Sequence, residues 1–271
     1  ALLKSGRGRY TLGVLPSSEY PAIEGHNTEH EILIPENQLK QLIEKTAFAM
    51  AQQDVRYYLN GLMLEVTQER ARAVATDGHR LALCDTPLQI ESLQHQKIIL
   101  PRKAVLEFGR MLTNSDEPIV LSLSLNHVRF KRGNTVFTSK LIDGNFPDYE
   151  RVIPPPGGAI MEVSTDLLKQ ALQRAAILSN EKYRGIRFSF SENSLILIAN
   201  NPEHDEAEEV LEVAYTGEVM SIGFNVGYVL DVLNAIDTEV VQFRLSYPGS
   251  SCVVTNKDKD DCQYVIMPMR L

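Results

Sequence analysis

The segment VRFKRGNTVFTSKLIDGNFPDYERV, Val128 to Val152, decides the architecture, because it is echoed near the start of the chain by LLKSGRGRYTLGVLPSSEYPAIE, Leu2 to Glu24. Lys4, Gly6, Tyr10 and Thr11 fall on Lys131, Gly133, Phe137 and Thr138 at a spacing of 127 (131 − 4), and Tyr20-Pro21 falls on Phe146-Pro147 at 126 (146 − 20). Each copy reads as two strands followed by an aromatic-Pro exit. Two further echoes keep the same order. IILPRKAVLEFGRMLTNSDEPIVLSLS from Ile98 matches SIGFNVGYVLDVLNAIDTEVVQFRLS from Ser221, with Val105 on Val229, Leu121 on Leu245 and Ser122 on Ser246 at 124 (229 − 105). LKQLIEKTAFA at Leu39 matches LKQALQRAAIL at Leu168 at 129 (168 − 39).

Three matches with nearly one period define a structural unit of roughly 125 residues. Two full units are expected, 31–149 and 150–271, while 1–30 resembles only the tail of a unit. The reading is that a first copy is missing; the alternative is an N-terminal arm that happens to look like a hairpin. Within the first unit, Leu39, Leu42, Ile43 and Ala47 recur at helical spacing over Asn37 to Met50, with Pro35 just ahead. β-rich stretches follow in RYYLNGLMLEV, ARAVATDG and HRLALCDT, and a second helix opens at Pro101-Arg102. The second unit repeats this with helices near Asp166 to Leu178 and Val226 to Ile236. Two helices against antiparallel strands in each unit give an α+β fold.

Composition narrows the function. With 44% hydrophobic residues, the 271-residue chain can bury substantial cores. No apolar run reaches the roughly 18 to 20 residues of a membrane span, and the start ALLKSGRGRY lacks a signal-peptide core, so a cytoplasmic protein is expected. Cys84, Cys252 and Cys262 are odd in number, far apart and without CxxC spacing, so neither a disulfide nor a zinc site is expected. A net charge of −8 and a pI near 5.3 count against gripping DNA by wholesale phosphate neutralisation. They allow a duplex to be enclosed by a wall with a local excess of cations. Lys40, Lys45, Arg102, Lys103, Arg110, Lys169 and Arg174 lie on the helices, whereas acids concentrate in EHDEAEEVLE, Glu203 to Glu212. Segregated charge follows as an expectation.

No metal signature, phosphate loop or nucleophile elbow is present, so no cofactor is expected. Asp77, His79 and Arg80 could support acid/base chemistry on a small substrate, although Asp-Gly is first of all a turn signal. The C-terminus, YVIMPMRL, is apolar and rich in methionine. Val265 and Ile266 can finish a strand, but Pro268, Met269 and Leu271 lie beyond it and suggest a binding surface. A plain duplex-binding protein with a basic helical face is a third reading.

QDVRYYLNG (Gln53 to Gly61), TDGHRLA (Thr76 to Ala82), SKLIDGNFPDYERV (Ser139 to Val152), LSNEKYRG (Leu178 to Gly185) and the terminal YVIMPMRL resemble the bacterial DNA polymerase III beta subunits, the sliding clamps. The resemblance covers essentially the whole chain. It implies repeated clamp domains, three per subunit and two subunits to a ring, and a non-catalytic protein that holds polymerases on duplex DNA. It implies a cleft for a short partner peptide, carrying a Gln and a Leu-Phe-like end, borne by DNA polymerases and the clamp loader. The cleft would use Leu59, Thr76, Gly78, His79, Arg80 and Leu81, then Pro147, Arg151 and Val152, then Ser251, Val265, Ile266, Met267, Pro268, Met269, Arg270 and Leu271. Gln53, Tyr57 and Tyr58 match a loop near DNA; Lys40, Arg102, Lys103, Lys169 and Arg174 would join them on the DNA side. Ile177 and Leu178 match one side of the homodimer interface, and Tyr10 matches an aromatic on the other. With 1–30 only the tail of a unit, this chain is expected not to close a ring.

Overall fold

A computed structural model describes residues 1–19, 30–90 and 95–270. It opens with a hairpin, β1 (Leu2–Ser5) and β2 (Gly8–Thr11). The first full unit follows as β3 (His30–Pro35), α1 (Glu36–Thr46), β4 (Gly61–Val66), β5 (Arg70–Thr76), β6 (Arg80–Pro87), β7 (Gln96–Pro101), α2 (Arg102–Met111), β8 (Pro118–Leu123), β9 (His127–Arg132) and β10 (Thr135–Lys140). The second unit repeats that order as β11 (Ala159–Ser164), α3 (Thr165–Ala175), β12 (Gly185–Ser191), β13 (Ser194–Asn200) and β14 (Glu206–Glu212). It adds a short β15 (Ala214–Tyr215) and then resumes with β16 (Met220–Asn225), α4 (Val226–Ala235), β17 (Val240–Leu245), β18 (Cys252–Asn256) and β19 (Cys262–Ile266).

The sequence echo is an echo of register. Lys4 pairs with Arg9 across the first hairpin as Lys131 pairs with Val136 across β9 and β10. Both turns place a glycine in the left-handed region, Gly6 at φ 56° and Gly133 at φ 52°, where a β-carbon is disfavoured. The proposed continuation at Tyr20-Pro21 lies outside the described residues. The helices repeat too. Beyond the first residue of each helix, which is buried in both, Leu39, Leu42, Ile43 and Thr46 are the buried positions of α1, and Leu168, Ala171, Leu172 and Ala175 are their counterparts in α3. This is one buried stripe at i, i+3, i+4 and i+7, apolar except for Thr46, whose hydroxyl donates to the Leu42 carbonyl.

Among the described residues the strands form four sheets. One is the β1-β2 hairpin. Two have four strands each, in the orders β10-β9-β8-β3 and β14-β13-β12-β16. The fourth has nine strands, in the order β15-β11-β17-β18-β19-β6-β5-β4-β7, and belongs to both units: β6 of the first pairs antiparallel with β19 of the second, from Cys84↔Cys262 to Arg80↔Ile266. The ladder therefore crosses the junction, and the backbone groups of β6 and β19 that face each other are paired between the units. Lys45, in the last turn of α1, donates to the Ala235 carbonyl at the end of α4 (2.6 Å) and pairs with Asp237. A cation at a helix C-terminus is the favourable sign for the helix dipole.

Four expectations change. Cys84 and Cys262 are joined as a disulfide across β6 and β19, with Cα atoms 4.1 Å apart; 178 residues separate them in sequence, so only the inter-unit register brings them together. Cys252 is a buried free thiol. Tyr57–Leu59, expected to open a strand, is a single 3-10 turn, and β4 starts after it at Gly61. The first and third helices end earlier than expected, each finishing in a 3-10 turn, Ala47–Ala49 and Ala176–Leu178. Charge is less segregated than the helices suggested. Arg174 grips Glu209 of the acidic β14 with two bonds of 2.7 Å, so helix cation and strand acid neutralise each other.

Candidate functional site

At the junction, the turn between β5 and β6 is built from its own side chains. Asp77 Oδ1 accepts from the backbone N–H groups of His79 (2.9 Å) and Arg80 (3.1 Å), and Asp77 Oδ2 accepts from Arg80 Nε (3.1 Å). Thr76 Oγ1 donates to the Arg80 carbonyl (2.6 Å) and accepts from Gly78 N (3.1 Å). Gly78 sits at φ 89°, and a β-carbon there would meet the Arg56 guanidinium at 3.0 Å. This arrangement speaks against the acid/base reading, since both Asp77 oxygens are already engaged by groups other than the imidazole. The His79 ring is exposed and lies nearly parallel to Tyr228, with centroids 6.4 Å apart.

Arg80 reaches across the junction. It bonds Asp231 on α4 (2.5 Å) and the Phe48 carbonyl (2.8 Å), and its guanidinium lies 4.5 Å from the centre of the Tyr228 ring. Burial, helped by the Asp77 charge, pushes the Tyr228 hydroxyl above its ordinary pKa. The chain's end completes the wall: Met267 N–H donates to the His79 carbonyl (2.9 Å), and Met269 N–H to the Gly223 carbonyl (2.7 Å).

Beside this turn lies an apolar cluster of Met63, Val74, Leu81, Leu83, Tyr149 and Val265, with Phe146, Val152 and Ile153 half-buried against it. Leu81, Val152 and Val265, separated widely in sequence, thus share one patch. Leu59 and Ile266 are buried in the framework beneath. Pro147, Arg151 and Ser251 remain at least partly accessible, Arg151 paired to Asp148 at 2.7 Å. Met269 differs from expectation. It leaves the Leu81 patch and, with Arg270, lines a separate recess of about 440 Å³ bounded by Asn180, Tyr183 and Asn200. Leu271 lies outside the described residues; Pro268 is half-buried between the two anchored methionines.

The loop ahead of β4 projects Gln53 (φ 59°), Val55 and Tyr57 into solvent. Its shape is fixed internally: Asn60 bonds both backbone groups of Asp54, and the Asp54 carboxylate forks with Arg56, which holds that carboxyl down to about 2. Tyr57 and Tyr58 meet edge to face. Lys103 is exposed, while Lys40 bonds Asn114 (3.1 Å) and Arg102 bonds the Met50 carbonyl (3.1 Å). Lys169 is half-buried on α3. Ile177 stands 78% exposed, which is unusual for an isoleucine. Sequence reasoning passed over Arg56, Tyr228 and Asp231, which the fold sets around the same turn.

The central-domain family of the DNA polymerase III beta subunit matches residues 33–148, and its C-terminal-domain family matches 150–270. The beta sliding clamp of Haemophilus influenzae is 51% identical over 271 residues, 100% of this chain and 74% of that protein. The chain belongs to the DNA polymerase III beta subunit family. Beta sliding clamps are non-catalytic processivity factors in DNA replication, and that is the function of this chain. The crystal structure of the beta subunit from Pseudomonas aeruginosa superposes with a TM-score of 0.96 at 50% identity, covering 100% of this chain and 74% of that one. A sliding clamp from the same organism bound to griselimycin gives 0.94 at 50% identity, covering 100% and 73%. Among the described residues no helix is long and apolar enough to cross a membrane, and no group of three metal-ligating side chains is present.

Proposed function

We propose that this beta sliding clamp chain receives partner peptides in the junction cleft, with the Leu81, Val152 and Val265 patch as anchor pocket and the His79, Arg80 and Tyr228 surface as the adjoining wall. The single observation that supports it most is the apolar cluster at an inter-unit seam, where half-buried Val152 and Phe146 leave one side open beside the polar turn Thr76–Leu81. Clefts of this composition, apolar with a few placed polar groups, suit short peptide anchors. The occupants would be DNA polymerases and the clamp loader, each presenting a short motif with a Gln and a Leu-Phe end. The cleft comprises Leu59, Thr76, Gly78, His79, Arg80, Leu81, Pro147, Arg151, Val152, Ser251 and Val265 to Pro268, with Met269 and Arg270 lining the recess next to it and Leu271 assigned to the same end of the site on the family resemblance alone.

Duplex DNA would face the Gln53 loop with Tyr57 and Tyr58, together with Lys40, Arg102, Lys103 and Lys169. Arg174, committed to Glu209, contributes least charge to that side. Ile177 and Leu178 would lie at the homodimer contact, which accounts for an isoleucine left 78% exposed. Domain limits are assigned as 31–149 and 150–271, with 1–30 belonging to a preceding unit, and the protein as cytoplasmic.

The test is calorimetric titration of a synthetic peptide carrying a Gln and a Leu-Phe end into the chain and into Val152→Asp. A carboxylate at that half-exposed wall leaves the fold intact by circular dichroism and removes detectable binding. Equal affinity in both proteins overturns the assignment.

A further inference from the structure

The linker between the units, Tyr149–Val152, is tied down by one side chain. Tyr149 is 3% exposed, and its hydroxyl donates to Glu65 Oε2 (3.0 Å) while accepting from Arg72 Nη1 (3.2 Å). Each partner is itself fixed. Glu65, buried on β4, holds His95 Nε2 through its other oxygen (2.7 Å). Arg72, on β5, grips Asp85 of β6 with two bonds of 2.6 Å, and the Asp85 backbone N–H reaches the Asp261 carbonyl of the second unit (2.7 Å). The ammonium of Lys97 lies 5.4 Å from the centre of the Tyr149 ring. Three strands of the first unit thus converge on one phenol.

The ring of Tyr149 belongs to the same apolar cluster as Leu81 and Val265, and Val152 packs on that cluster one helical turn later. In a 3-10 turn residues i and i+3 lie on the same side, so the placement of residue 149 dictates that of residue 152. Burying a phenol, a carboxylate and a guanidinium to fix a four-residue linker is costly unless every group is satisfied, and here the hydroxyl is. A phenylalanine would fill nearly the same volume with no hydroxyl to satisfy. The geometric gain from the polar tether is a linker that cannot slide along the sheet.

We propose that Tyr149 is a positioning residue for the peptide pocket: its hydroxyl, held by Glu65 and Arg72, sets the linker so that Val152 closes the pocket over Leu81 and Val265. This rests on the cleft reading above. Affinity for an anchored peptide then depends on a hydroxyl that the peptide does not touch.

The experiment titrates two probes into the 271-residue chain and its variants: the peptide with its Leu-Phe end, and the same peptide ending in Ala-Ala. Tyr149→Phe lowers affinity for the Leu-Phe peptide roughly three- to tenfold, the scale of one ordinary net hydrogen bond. The residual affinity for the Ala-Ala peptide does not change, so the double-mutant cycle gives a coupling between Tyr149 and the Leu-Phe end equal to the whole loss. Glu65→Gln, which keeps an acceptor for the phenol, loses less than Glu65→Ala. A Tyr149→Phe chain with a lower urea midpoint and unchanged Leu-Phe affinity overturns the inference and leaves the cleft standing. A parent chain that does not distinguish the two peptides overturns the cleft reading itself.

Discussion

Arg80 on β6 sets its Nη1 2.5 Å from the Asp231 carboxylate on α4, so one guanidinium of the first unit is bound by a helix of the second. The same side chain bonds Asp77 and the Phe48 carbonyl and stacks on Tyr228. Arg80→Ala is therefore expected to destabilise the chain by about 1–3 kcal/mol, less than a fully buried pair because Asp231 keeps water on one side. Arg80→Lys should recover little, since a point charge cannot reproduce a planar fork. Urea unfolding checks both; a midpoint unmoved by Arg80→Ala refutes the latch.

Helix α4 begins at Asn225, whose Oδ1 accepts from the backbone N–H of Gly227 (2.9 Å) and Tyr228 (3.2 Å). Losing that cap in Asn225→Ala costs about 1 kcal/mol, and Asn225→Asp, which keeps the acceptor, costs a few tenths. The cap also starts the helix that carries Tyr228 and Asp231. Peptide affinity in Asn225→Ala should fall alongside stability, which titration and denaturation on one sample can compare.

Acid should loosen the linker. Burial works to raise the Glu65 carboxyl, but hydrogen bonds from Tyr149 and His95 outweigh it and hold the group below its ordinary 4.5. A folded pKa below the unfolded one stabilises fully above about 4.5, and that contribution is lost as pH falls through the lowered folded value. Urea midpoints measured from neutral pH down to about 3 should fall more steeply for the parent than for Glu65→Gln, whose side chain does not titrate. Parallel curves would show that Glu65 plays no part in acid stability.

DNA should be held weakly. Lys and Arg number 27 against 35 Asp and Glu, and several helix cations are already bonded within the protein. Linear duplex is expected to bind with a dissociation constant on the order of 10⁻⁵ M or weaker at physiological salt, with most of it gone by about 200 mM. Anisotropy across a salt series measures this directly. Tight binding that persists would revive the reading of a protein that grips DNA by charge.

Local pattern and period carried far in this chain. The spacing of 129 between Leu39 and Leu168 foretold two helices with matching buried stripes, and the echo of Lys4 at Lys131 foretold two hairpins of identical register. What the residues alone did not show was pairing across the seam. Nothing local to Cys84 or Cys262 says that β6 and β19 run side by side, and nothing near Arg80 names Asp231 as its partner. Nothing near Tyr149 in the sequence names Glu65 or Arg72, 84 and 77 residues away, as its partners. Arg174 looked like a free cation because Glu209 is 35 residues away, on a strand whose neighbour was not yet known.

Peptide binding is assigned to the seam between the units, finished by the chain's last residues. Met267 is anchored there by its backbone bond to His79 of the first unit, and Met269 next to it by a bond to Gly223 of its own unit. Calorimetric titration of the Leu-Phe peptide into the whole chain and into a chain ending at Ile266 tests this most directly. The shortened chain is expected to lose about 2 kcal/mol or more, roughly thirtyfold in affinity, with the circular dichroism spectrum unchanged. Undiminished affinity in the shortened chain would contradict it.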